Sequence, residues 1–97
     1  MAEVTIGIDI GTTSVKAVAA DGDGNVLARA RIPHKLVFPA ADRMQHDAAQ
    51  AWRRGPRRAL AEVDRSDARG VCVAAMVPSL TGVDRRGIPR TPGLLYG

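Results

Sequence analysis

Apolar positions along this chain change period from block to block, and each period predicts a different element. Val4, Ile6, Ile8 and Ile10 recur at every second residue, which predicts a strand over Val4–Ile10 that is buried on both faces towards its end. Val15–Ala20 predicts a second strand, and Asp21-Gly22-Asp23-Gly24-Asn25 is a strong turn signal. In the following run Val26, Ala28, Ala30 and Ile32 fall on one face, with Leu27, Arg29 and Arg31 on the other, so one side meets a core and the other is partly wet. The chain therefore opens with antiparallel strands. Pro33 to Met44 has no sustained period and includes Pro33 and Pro39, which predicts an irregular excursion across the surface.

Helical spacing begins after that. Asp47 with Gln50 three residues later resembles a capping box, and Ala48, Ala51, Trp52, Ala59, Leu60 and Val63 supply an apolar stripe. Gly55-Pro56 interrupts it. A proline in a helix interior costs about 3 kcal/mol, so the pattern predicts a kink near Arg54 or two short helices with Pro56 in the first turn of the second. Gly70-Val71-Cys72-Val73-Ala74-Ala75-Met76-Val77 is a continuous apolar run, the form of a buried strand parallel to the first. Ser79–Val83, the Asp84-Arg85-Arg86-Gly87 turn and Ile88–Leu95 then predict a hairpin-like extension. The order is βββαβ in a mixed sheet, an α/β fold without internal repeat or domain boundary over residues 1–97.

The candidate chemistry lies at Gly7–Lys16. An apolar run carries the carboxylate of Asp9, read as lying on the buried side, into a small turn where Gly11 lets the backbone bend and Thr12, Thr13 and Ser14 offer amide and hydroxyl donors. Lys16 lies two residues beyond Ser14, which on an extended strand sets a cation on the same face. A lone Asp-x-Gly is more often a turn aspartate bonded to its neighbours. The hydroxyl run and the lysine shift the reading towards an anion site.

The segment Asp-x-Gly-Thr-Thr-Ser-x-Lys-Ala is similar to the first phosphate motif of the sugar kinase, actin and heat-shock ATPase superfamily. Gln45-His46-Asp47 followed by Trp52, then Val83–Pro89, then Thr91–Gly97, resembles successive blocks of the FGGY carbohydrate kinases, in the family's order and over nearly the whole chain. The resemblance implies part of a ribonuclease H-like, actin-like ATPase lobe from the N-terminal end of a longer protein. It implies transfer of the γ-phosphate of ATP to a hydroxyl of a sugar or polyol, with Mg2+. Asp9 would be the metal-side residue, acting through water, with Gly11, Thr12, Thr13 and Ser14 in the phosphate turn and Lys16 as a phosphate contact. The general base, the second phosphate motif and the adenosine site would lie beyond residue 97, so no catalytic residue falls within this chain and the isolated piece would be inactive.

On the acceptor side, relatives carry Glu-His-Asp or Glu-Gln-Asp where this chain has Gln45-His46-Asp47, and their first residue touches a sugar hydroxyl. An amide at Gln45 can still donate to and accept from hydroxyls, with His46 beside it. Met76-Val77-Pro78-Ser79-Leu80 stands where several relatives have a Gln-Met-His-Gly-like substrate loop. It lacks the glutamine and histidine, leaving Pro78 and Ser79 to shape a pocket. The alternative for these residues is a helix start and a strand end with its turn. Relatives also run straight through the site of Gly55-Pro56.

Composition narrows the remaining classes. Ninety-seven residues make one small domain, which buries only about 60–65% of its unfolded surface. The single Cys72 excludes a disulfide framework, reads as a small buried apolar residue, and fits a reducing cytoplasm. No long apolar segment suggests a membrane. The formal charge of +4 is mostly arginine, densest at Arg53, Arg54, Arg57 and Arg58. Only Phe38, Trp52 and Tyr96 are aromatic and none interleaves with that cluster, so a solvated face is favoured over nucleic-acid binding. Asp21-x-Asp23-x-Asn25 has Val26 and Ile32 where a calcium loop needs Gly and Glu. His46 has no second His or Cys at ligand spacing. The spacing of Trp52 with Pro56, Ala59 and Leu60 favours core packing over sugar stacking. The rival readings are a non-kinase actin-like ATPase and an inactive basic binding module.

Overall fold

The computed structural model describes residues 3–96; Met1, Ala2 and the Gly97 that closes the Thr91–Gly97 block lie outside them. The elements are β1 (Val4–Ile10), β2 (Ser14–Ala20), β3 (Val26–Pro33), β4 (Val37–Ala40), β5 (Arg43–His46), a π-helical turn (Ala49–Arg54), α1 (Gly55–Val63), β6 (Ala68–Ala75) and β7 (Gly93–Leu94). The main sheet runs β3-β2-β1-β6, and a smaller sheet runs β4-β5-β7. β1 pairs antiparallel with β2 and parallel with β6, so the sheet is mixed.

The helix covers one face of the main sheet. Val4, Ile6 and Ile8 from β1, Val15, Ala17 and Ala19 from β2, and Ile32 from β3 close on Ala59 and Val63 from α1. Ala28 and Ala30 share that face half-buried, as the alternation of β3 predicts, whereas Val26 at its start is 45% exposed. The Asp21–Asn25 turn is a closed hydrogen-bonding unit. The Asp21 carboxylate accepts from Asp23 N–H, Asn25 N–H and Asn25 Nδ2, which holds it below the usual carboxylate range, chiefly through the Asn25 side chain.

Two expectations are corrected. The stretch from Pro33 to Met44 is not an irregular excursion: it contains β4 and the start of β5, paired through Val37–Gln45 and Ala40–Arg43. A short, exposed β4 with Pro39 inside leaves no apolar alternation for a pattern to show, and β5 has only four residues in which to show one. The second correction concerns β6, which does pair with β1 in parallel yet is exposed at every position after Ala68. The helix packs over β1, β2 and β3 and stops short of this edge, so Val71 and Val73 stand 52% and 56% exposed and Cys72 is exposed rather than buried. Beyond β6 the chain forms the expected extension, with bridges Leu80–Leu94 and Val83–Pro89. Its turn is set by Asp84, which accepts from Ile88 N–H, Arg86 N–H and Arg90 Nε, and by Gly87 at φ 77°.

Gly55-Pro56 is accommodated by a change of helix type. Asp47 Oδ1 accepts from Gln50 N–H to start the helix, and the next turn is wide, closed by Gly55 N–H donating to Gln50 O. In an α-helix the Pro56 ring would press on the carbonyl four residues back. The wider turn relieves that clash and leaves Pro56 in the first turn of α1, as the two-helix alternative predicts. Gly55 is needed there for a second reason: a Cβ would sit 3.0 Å from Val15 Cγ2 and 3.1 Å from Gln50 O.

A pair of buried histidines joins the two sheets. His34, just after β3, meets His46 of β5 edge to face, with centroids 4.5 Å apart. Among the described residues neither His34 ring nitrogen makes a hydrogen bond. Burial, and then the neighbouring His46, push its pKa below the ordinary histidine value, while backbone groups of Gly11, Lys35 and Ser14 oppose the shift.

Two outcomes follow from this packing. Gly55→Val should lower unfolding stability by about 1–3 kcal/mol through overpacking, read as a reduced denaturant midpoint at constant slope. The second concerns pH. Because His34 is depressed in the folded state, the unfolded chain takes up its proton first, so this contribution is complete above about pH 6.5 and is lost as pH falls below it. Denaturant midpoints measured from pH 7.5 to 5 should decline, and His34→Phe should flatten the decline; an unchanged slope in the variant would contradict the assignment to His34.

Candidate functional site

β1 reverses into β2 through Gly11, Thr12 and Thr13. Gly11 N–H donates to Ser14 O at 2.9 Å, and a Cβ on Gly11 would lie 3.0 Å from that same oxygen, so close approach of backbone dictates the glycine. The turn's carbonyls are held from below. Thr12 O accepts from His46 Nε2 at 2.7 Å, and Thr13 O accepts from the His34 N–H at 3.0 Å. From the other side, the Thr12 and Tyr96 hydroxyls are joined at 2.9 Å. Among the described residues the amides of Thr12 and Thr13 have no partner, which leaves adjacent donors for an anionic oxygen.

Asp9 and Lys16 are direct cross-strand neighbours in the β1–β2 register. Both are exposed on the face of the sheet opposite the helix, where they border a shallow depression of about 380 Å³ with Gly7, Val18, Cys72 and Ala74. The expectation that the Asp9 carboxylate lies on the buried side is corrected: the residues of β1 that enter the core are Val4, Ile6 and Ile8, and Asp9 has the opposite parity. Ser14, at 5% exposed, is tucked into the base of the turn although it shares strand parity with Lys16. No group of three or more His, Cys, Asp or Glu side chains converges among the described residues. A lone, accessible carboxylate suits a cation that keeps most of its water, which is the habit of Mg2+.

A second concavity, of about 230 Å³, opens at the carboxyl ends of the parallel strands β1 and β6, the place where open α/β sheets take ligands. Ile10, Trp52, Ala75, Met76, Val77 and Ser79 line it. The Ser79 hydroxyl is buried without a protein partner. Pro78, which follows a cis peptide, is exposed and does not line this cleft. Gln45 is half-buried on β5, paired with Val37 and Leu94.

His46 is placed differently from its reading as a sugar contact. It is 1% exposed, it donates to Thr12 O, and its Nδ1 accepts from Trp52 Nε1 at 3.0 Å, so neither ring nitrogen is left for a sugar hydroxyl. Alternation along β5 turns its side chain inward, under the Gly11–Ser14 turn, and away from the face that carries Gln45. Trp52 packs against the Gly93 backbone and lines the cleft as well, because the indole spans both environments. Sequence spacing gave no sign of the roles of His34 and Tyr96. They reach the turn from 21 and 84 positions along the chain, by tertiary contact alone.

The sequence matches the N-terminal domain of the FGGY family of carbohydrate kinases over residues 4–90. It is 34% identical over 93 residues to the apulose kinase of Pectobacterium atrosepticum, covering 92% of this chain and 19% of that protein. It is 38% identical over 52 residues to the glycerol kinase of Renibacterium salmoninarum, covering 54% of this chain and 10% of that protein. The fold matches the crystal structure of xylulose kinase from Rhodospirillum rubrum with a TM-score of 0.82 and 35% identity, covering 95% of this chain and 20% of that one. This chain spans a fifth or less of the length of these relatives. With a mixed sheet of the same architecture and a family match over almost its whole length, the chain belongs to the FGGY family of carbohydrate kinases.

Proposed function

We propose that the protein carrying this domain transfers the γ-phosphate of ATP to a hydroxyl of a sugar or polyol, and that this chain supplies its first phosphate-binding turn. The observation that carries the proposal is the Gly11–Ser14 turn, with its free Thr12 and Thr13 amides beside Asp9 and Lys16, within a family match over residues 4–90. Relatives named for glycerol, apulose and xylulose support a small polyhydroxy compound as the acceptor.

Phosphoryl transfer asks little covalent chemistry of the protein; positioning and neutralisation of charge carry it. The Thr12 and Thr13 amides bind terminal phosphate oxygens, and the Thr13 and Ser14 hydroxyls border the same turn. Lys16 offsets charge from the neighbouring strand. Asp9 would hold Mg2+, and the bound cation would offset negative charge on the phosphates. The cleft at Trp52, Met76 and Ser79 takes the acceptor, with the unpartnered Ser79 hydroxyl as a ready hydrogen-bonding group. Gln45 serves at the acceptor side and Pro78 shapes the loop beside it. The general base lies outside this chain. A cytoplasmic location fits the single cysteine, and no nucleic acid or membrane partner is required.

In the protein carrying this domain, Asp9→Ala should reduce sugar-dependent ATP consumption by about a hundredfold or more, the scale on which loss of one pre-organised charge interaction acts. Far-ultraviolet circular dichroism should be unchanged, because Asp9 is exposed and takes no part in the core. Turnover near wild type would remove Asp9 from the metal-side role.

A further inference from the structure

The phosphate turn and the acceptor cleft are connected through two side chains. Trp52 forms a wall of the cleft, its indole N–H reaches His46 Nδ1 at 3.0 Å, and His46 Nε2 reaches the Thr12 carbonyl at 2.7 Å. We propose that His46 is a positioning residue for phosphoryl transfer: held in one tautomer by Trp52, it fixes the Thr12 carbonyl and couples occupancy of the acceptor cleft to the geometry of the phosphate turn. This rests on the carbohydrate kinase reading and deepens it.

The tautomer follows from donor chemistry. An indole N–H can only donate, so His46 Nδ1 must present a lone pair; the ring proton is then on Nε2, where the Thr12 carbonyl accepts it. Water cannot substitute for either bond, since His46 is 1% exposed and is flanked edge-on by His34 and by Trp52 at centroid distances of 4.5 and 6.1 Å. With Thr12 O and Thr13 O both spent on protein donors, the turn keeps its amides free.

The indole also has no room to retreat. A Cβ built on Gly93 would lie 2.8 Å from Trp52 Cη2 and Cζ2, so the ring is seated directly on the Gly93 backbone. A polyhydroxy acceptor pressing on the cleft wall therefore loads the Trp52–His46 bond, and through it the Thr12 carbonyl. Coupling of this kind is reciprocal, and typically changes affinity about 5- to 150-fold.

The test uses purified protein carrying this domain, with ATP and an acceptor panel that includes glycerol and xylulose. In wild type the apparent KM for ATP should fall as acceptor rises, and Trp52→Phe, which keeps an aromatic side chain but deletes the N–H together with the second ring of the indole, should abolish that dependence. His46→Gln retains a donor at the Nε2 position and should keep kcat/KM for ATP within about threefold of wild type. His46→Asn is too short to reach Thr12 and should lose about 10- to 100-fold, the usual scale for a supporting residue, with the acceptor KM little changed. Equal losses in the Gln and Asn variants, or a Trp52→Phe enzyme whose ATP KM still responds to acceptor, would overturn the proposal. Imidazole and amide 15N spectra give an arm independent of catalysis. Wild type should show a bare Nδ1 and a protonated Nε2 at His46, and Trp52→Phe should mix the tautomers and shift the Thr12 and Thr13 amides. If wild type consumes no ATP with any acceptor, the kinase reading fails, and spectra unchanged by Trp52→Phe would refute the brace by itself.

Discussion

Everything at the proposed site depends on how one tight reversal disposes of its carbonyl oxygens. A turn that is to receive anionic oxygens must leave its N–H groups free, and buried carbonyls need donors from elsewhere. Here the donors come from outside the hairpin: the His46 ring takes Thr12 O and the His34 backbone takes Thr13 O. Both histidines belong to segments that bridge to the small sheet. The β4-β5-β7 sheet therefore has a mechanical task, because without β5 in place the turn between β1 and β2 would lose the partner that holds Thr12.

The two faces of the main sheet are treated very differently, and the difference follows the charges. On the helix side, alternating apolar residues of β1, β2 and β3 close on Ala59 and Val63. The opposite side carries Asp9 and Lys16 as cross-strand neighbours, each with water to hydrate it. Strand parity alone decides this separation, since a one-residue slip would drive the Asp9 carboxylate into the core and expose Ile8. The apolar pattern that builds the core thus also fixes on which face the carboxylate and the lysine stand.

Those parts of the structure that repeat with a period were legible in the sequence, and those made by single contacts were not. The strands around Ile6, Ala17 and Ala30 and the helix through Ala59 and Val63 were visible because burial imposes a period of two or of about 3.6 on many residues at once. The Gly11–Ser14 turn was visible because Gly11 and its hydroxyl-bearing neighbours are contiguous. β4 escaped notice since a short, exposed strand has no buried face to write into its residues, and β5, with four residues, is too short to show a period. β6 was found but its burial was misjudged, because a continuous apolar run reports what a strand can be buried by, and within these residues the helix does not reach Val71 or Val73. Its neighbours in sequence suggest a sugar contact for His46, whereas both of its ring nitrogens are bonded to Thr12 and Trp52, which flank it only in space.

The departure at Gly55-Pro56 fits into the same scheme. Ala51, Gly55, Ala59 and Val63 are all buried and are spaced by four, and in a regular α-helix such a row drifts around the axis by about 40° per step. A wide turn through Ala49–Arg54 takes back part of that drift, so the row continues to face the sheet where Gly55 approaches Val15. It also changes the bearing of the turn that carries Trp52 relative to α1, letting α1 lie on the main sheet while Trp52 reaches His46 and the Gly93 backbone of the small one. A proline that would damage an α-helix is thereby placed where the helix type has already changed, and the indole that lines the cleft beside Met76 and Ser79 is delivered by the same local irregularity.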